Sequence, residues 1–171
     1  EPDSAISRPQ KKHDSGAATL EWDDKFGYLP SILTLLEVPA SSQMLVFSKT
    51  SLQRERINPE NPRALYFNDD VYLGWIPGAP LIELSVADPK MGGVFYSIEQ
   101  KKVERPAFKR TDQCLECHAS TKSMGVPGHL ARSFETDEEG VVDLASGTSQ
   151  VNHRTPFEER WGGWYVTGTH G

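Results

Sequence analysis

Apolar positions between residues 64 and 100 recur with a period of two, in short runs parted by turn residues. The clearest alternation lies in Leu81-Ile82-Glu83-Leu84-Ser85-Val86 and in Val94-Phe95-Tyr96-Ser97-Ile98, the pattern of strands with one buried and one wetter face. Ala64–Asn68 and Val71–Ile76 are further strand candidates, followed by Leu81–Ala87 and Gly93–Gln100. Between them lie Asp69-Asp70, Pro77-Gly78-Ala79-Pro80 and Asp88-Pro89-Lys90-Met91-Gly92, which are turn chemistry. This spacing predicts an antiparallel β meander. Upstream, Gln43–Ser48 is a short apolar run and Lys49–Arg56 a charged loop with helical character. Asn58-Pro59 and Asn61-Pro62 bias their first residues to extended or turn geometry. Leu29–Leu36 mixes branched apolar residues with Pro30 and reads as a short helix or a strand.

After Arg105-Pro106 the pattern changes. The remainder is rich in Gly, Pro, His and aromatic residues. It predicts little regular structure beyond one helical turn near residue 114 and a hairpin over Glu139–Leu144. The fold class expected is α+β, an antiparallel meander in the N-terminal half followed by a loop-rich part with short helices. With 171 residues, four Trp, five Tyr and seven Phe, the chain has material for one ordinary domain. No run approaches the roughly 18 apolar residues of a membrane span, and the expectation is a soluble protein. Lys and Arg number 18 against 24 Asp and Glu, a net charge of −6, which argues against nucleic acid or an anionic membrane as the main partner.

The informative motif is Cys114-Leu115-Glu116-Cys117-His118. Two thiols three residues apart on one helical turn reach the two vinyl groups along one porphyrin edge, and the next residue projects an imidazole at the iron from the same face. A CxxC pair alone is compatible with a redox dithiol or half of a zinc site. A redox dithiol does not usually carry His directly after the second Cys. The chain has only two cysteines, so a zinc site would have to find its other ligands among histidines. The motif therefore predicts one covalent haem c, with Cys114 and Cys117 as attachment points and His118 as proximal ligand. Such attachment occurs outside the cytoplasm, so a periplasmic or secreted location is expected. Glu1-Pro2-Asp3-Ser4 shows no signal peptide, which makes a processed start the matching expectation. The domain reading is a tail or linker at 1–19 and a single haem c-binding domain at 20–171, β-rich over 20–105 and haem-wrapping over 106–171.

Small carriers of the mitochondrial type place this motif near the N-terminus, and the four-helix-bundle cytochromes are all-helical; neither matches a late motif behind a β meander. Ala64-Leu65-Tyr66-Phe67-Asn68-Asp69-Asp70-Val71-Tyr72, Gly125-Val126-Pro127-Gly128-His129-Leu130 and the run from Trp161 to Gly171 resemble a group of secreted bacterial monohaem c-type cytochromes of uncharacterised role. That resemblance covers the chain from about residue 20. It implies members that continue past Gly171, and so a fragment of a longer protein. The order of a β meander and a late CxxCH also resembles, in architecture alone, PAS-like periplasmic c-haem sensor domains.

For the sixth iron position the candidates are His129, then His170, then His153, with Met124 and an open site behind them; His13, in the tail, ranks last. His129 follows the motif by eleven residues, an extended reach of roughly 36 Å at ~3.3 Å per residue, enough to round a porphyrin edge. Arg132, Arg154 and Arg160 are candidates to pair with propionates, and Trp161 and Trp164, around two glycines, to stack on the macrocycle. Each of these has an ordinary structural alternative, a solvated arginine or a core aromatic. The leading functional expectation is electron transfer, as a periplasmic carrier or as a subunit of a larger redox complex, with redox proteins as partners. A haem-based redox or gas sensor comes second. A peroxidase-like enzyme, with His129 and Arg132 as distal groups, comes third.

Overall fold

A computed structural model describes Ile6 and residues 19–167, except for the side chain of Lys122. The tail expected at 1–19 falls outside the described residues apart from Ile6, which is buried, and Thr19.

The chain is mixed but dominated by strands. Leu29–Leu35 forms helix α1, which settles the choice left open by the apolar run; Pro30 sits in its first turn, where the missing N–H costs nothing. The strands are β1 (Met44–Val46), β2 (Arg63–Phe67), β3 (Val71–Trp75), β4 (Leu81–Asp88) and β5 (Gly92–Glu99), then β6 (Lys109–Arg110), β7 (Ala131–Phe134), β8 (Thr148–Val151) and β9 (Trp164–Tyr165). Helix α2 is a single turn, Leu115–His118. A seven-stranded antiparallel sheet runs in the order β6-β5-β4-β3-β2-β1-β9, and β7 pairs with β8. The meander expected from the alternation is β2 to β5, extended by β6. The charged loop Lys49–Arg56 supplies only one 3-10 turn, Arg54–Arg56. At the hairpin expected over Glu139–Leu144 there is a turn closed by a single Thr136–Val142 bridge, inside the wider β7–β8 hairpin. Among the described residues no helix is long and apolar enough to cross a membrane.

The chain divides into two compact units, neither continuous in sequence. The first is Glu1–Gln43, Leu65–Trp75 and Ala79–Gly128; the second is Met44–Ala64, Ile76–Gly78 and His129–Gly171.

In the first unit the register fixes two sheet faces. Val71, Val86 and Val94 lie in one row, and Leu73, Leu84 and Tyr96 in the next; all six are buried. The period of two then puts Tyr72, Ser85 and Phe95 in a row on the opposite face, with Gly74, Glu83 and Ser97 beside it. Helix α1 is tied down at both ends. At its start, the Tyr28 amide donates to Gln100 Oε1 at 3.2 Å, and the Tyr28 hydroxyl accepts from the Val103 amide at 3.0 Å. At its end, Asn68 Nδ2 donates to the Leu36 carbonyl at 3.1 Å.

In the second unit, β1 and β9 pair Leu45 with Tyr165 and Val46 with Trp164. The Tyr165 hydroxyl donates to the Pro59 carbonyl at 2.8 Å.

Candidate functional site

Cys114 stands at the start of α2, and the His118 amide donates back to its carbonyl at 3.0 Å. One turn of 3.6 residues therefore carries Cys114, Cys117 and His118 along the same side.

Both ends of the loop that bears them are fastened to β5. Before the motif, the Thr111 amide donates to the Phe95 carbonyl at 3.0 Å, continuing the pairing of β6. After it, the chain reverses through Met124 and Gly125, both at positive φ. It then returns so that Pro127 O accepts from the Gly93 amide at 2.7 Å. This return brings Gly128 onto His118 twice. The Gly128 amide donates to the His118 carbonyl at 2.9 Å, and the Gly128 carbonyl lies 2.8 Å from His118 Nδ1.

A carbonyl oxygen only accepts, so the contact places a ring proton on Nδ1. The ring also packs on Phe95, with centroids 4.8 Å apart and planes at 45°. His118 is thus held by a hydrogen bond at Nδ1 and by an aromatic face.

The two thiols differ. Cys114 is half-buried, and burial, assisted by the Glu83 carboxylate, pushes its thiol up to about 11. Cys117 is exposed, and neither cysteine is in a disulfide. A redox dithiol lowers the pKa of its attacking cysteine; here the environment acts in the opposite sense. Among the described residues no three His, Cys, Asp or Glu side chains gather into a metal-binding group. A haem iron asks the chain for axial ligands only and does not depend on such a cluster. Ser120 Oγ, two residues beyond the histidine, is buried without a hydrogen-bond partner, a polar atom left for a group that the polypeptide does not supply. The two thiols on one turn, the imidazole held at Nδ1 and the unpartnered Ser120 hydroxyl together fit a covalently held haem.

The remaining sequence candidates lie elsewhere. His129 and His153 belong to the second unit and are exposed; His170 and His13 are outside the described residues. Met124 is 90% exposed at the reversal. Arg132, Trp161 and Trp164 are in the second unit with structural partners. Trp164 Nε1 donates to the Arg132 carbonyl at 2.9 Å, and Trp161 meets Phe157 edge-on at 5.7 Å, although its own Nε1 is buried without a partner. The glycines between them admit Phe134 and Ser48, which a β-carbon on Gly162 or Gly163 would strike. Arg160 donates through Nε and Nη2 to the Thr155 carbonyl at 2.8 and 2.6 Å, and Arg154 is exposed.

Sequence reasoning missed Phe95, Ser120 and the Gly92-Gly93 pair. Two adjacent glycines opening a strand were a legible sign of close backbone approach. Comparison with family models, curated proteins and solved structures gives no match.

Proposed function

We propose that the chain is a monohaem c-type cytochrome that transfers electrons outside the cytoplasm, as a carrier or as a subunit of a larger redox complex. The observation that carries the reading is the His118 Nδ1 to Gly128 carbonyl contact at 2.8 Å. A histidine that ligates a metal characteristically donates its other ring N–H to a carbonyl or carboxylate, which fixes the tautomer and raises the basicity of the ligating nitrogen.

Cys114 and Cys117 would hold the macrocycle through thioethers and His118 would hold the iron from the proximal side. The group, when bound, supplies a one-electron ferric/ferrous couple. The chain's own part is orientation. Gly128 O and Phe95 hold the imidazole, and Ser120 Oγ, buried without a partner, would donate to an acceptor on the bound group. The loop-rich segment 106–171 is the part proposed to wrap the macrocycle, and redox proteins are the proposed partners.

The sixth position decides how the iron is used. We assign it to a second histidine, so the ferric protein should be low-spin and six-coordinate. Absorption and electron paramagnetic resonance spectra of both redox states test this. Alanine at His129, His153 and His170 in turn identifies it: the variant that loses the ligand should become high-spin and bind carbon monoxide rapidly once reduced. A native protein that is already high-spin and binds carbon monoxide at once would overturn the carrier reading in favour of a sensor or peroxidase.

A further inference from the structure

The β4–β5 hairpin reaches the histidine through an unbroken series of short-range constraints within the first unit. Asp88 Oδ1 accepts from the Lys90 and Met91 amides, each at 2.8 Å, and so shapes the turn. Gly92 follows with φ +74°, and a β-carbon there would be driven into the Pro127 carbonyl oxygen. At Gly93 an added β-carbon would lie 3.1 Å from Gly128 N and 3.3 Å from its Cα, while the Gly93 amide holds Pro127 O at 2.7 Å. Gly92 has no room for a side chain, and one at Gly93 would make the 127–128 backbone give by a few tenths of an ångström. Gly128 in turn grips His118 at its main chain and at its ring.

We propose that Gly92 and Gly93 are positioning residues for the iron ligand: by admitting Pro127 and Gly128 they keep the Gly128 carbonyl on His118 Nδ1 and set how strongly His118 donates. This rests on the haem reading above. Neither glycine touches the ligand; both act through the carbonyl. A firm N–H···O=C bond makes the imidazole a better donor and favours the ferric state. Displacing the carbonyl weakens donation and raises the reduction potential.

Gly78 supplies a matched control. Its φ is +73°, but an added β-carbon there meets nothing within 4 Å. Alanine at Gly78 or Gly92 therefore suffers the same left-handed backbone strain, and only the second forces Pro127 away. The experiment compares Gly78→Ala, Gly92→Ala and Gly93→Ala in the full, haem-loaded chain by redox titration and ferric electron paramagnetic resonance. Gly78→Ala should keep the wild-type potential and g values. Gly92→Ala should lower the ferric-to-ferrous ratio at fixed poise about tenfold, the scale of a perturbed outer-shell partner, equal to 59 mV for one electron. Gly93→Ala should shift it in the same direction by less. Wild-type potential and g values in both variants would overturn the proposal, since a merely structural glycine would alter stability alone.

If Gly92→Ala does not fold, Gly93→Ala and the unmodified protein decide the matter. The His118 Nδ1 proton, followed by nitrogen-edited NMR, should exchange slowly in the wild type and faster in Gly93→Ala. Fast exchange in the wild type overturns the clamp. Slow exchange in a protein that carries no covalent haem leaves the clamp standing and rejects the haem reading instead.

Discussion

Cys114 and Cys117 share one helical turn but not one environment, and the difference can be measured. In haem-free protein Cys117 should be alkylated first. Cys114, with its thiol near 11, is ionised in only about one molecule in a thousand at pH 8. Iodoacetamide labelling followed by peptide mapping checks this, and equal or faster labelling of Cys114 would contradict it. The sign for stability follows from proton binding. A thiol raised above the ordinary 9.0 binds its proton more tightly when folded. Its contribution is complete below about pH 9 and is lost as pH climbs toward 11 in haem-free protein. The motif was legible because its geometry is local, five residues on a single turn. Phe95 and Gly128 were not, because their roles come from distant chain brought across a strand edge. The paired use of Trp164 and Arg132 was hidden for the same reason: an indole donating to a carbonyl 32 positions away leaves no mark in spacing.

The β4–β5 hairpin was the element most plainly written in the sequence, since alternation on both arms sets faces and register together. Its true limits run one residue past the expected Ala87 to Asp88 and back to Gly92, where turn and strand chemistry overlap. Leu29–Leu36 was ambiguous because a short apolar run has no period long enough to decide between helix and strand. Asp88 gives the hairpin a pH signature. The two amides it accepts hold its carboxyl below the usual range, with Lys90 adding a smaller electrostatic pull. A depressed carboxylate stabilises the fold fully above the ordinary 3.8 and loses that contribution as pH falls through its lowered folded value. Thermal unfolding of the wild type should therefore weaken in acid more steeply than that of Asp88→Ala, which also lacks the two turn bonds and should be less stable at neutral pH. Parallel acid profiles for the two proteins would contradict the assignment.

At the scale of the molecule, a strand-dominated mixed fold was foreseeable from the meander, whereas the seven-stranded order was not. Pairing Leu45 with Tyr165 joins segments 120 positions apart, and nothing in local pattern marks β9 as the partner of β1. The division into two discontinuous units has the same origin: it follows from which segments pack together and not from their order in sequence. What unites residue, element and molecule is the claim that the CxxCH turn holds a haem by covalent bonds. Pyridine haemochrome analysis of the full chain, matured in a host that attaches haem c, tests this most directly. The account predicts a c-type spectrum with one haem per chain, colour that stays with the protein through acid–acetone extraction, and no attachment in the Cys114→Ala, Cys117→Ala double variant. Pigment passing into the organic phase, or a colourless wild-type protein from that host, would contradict it.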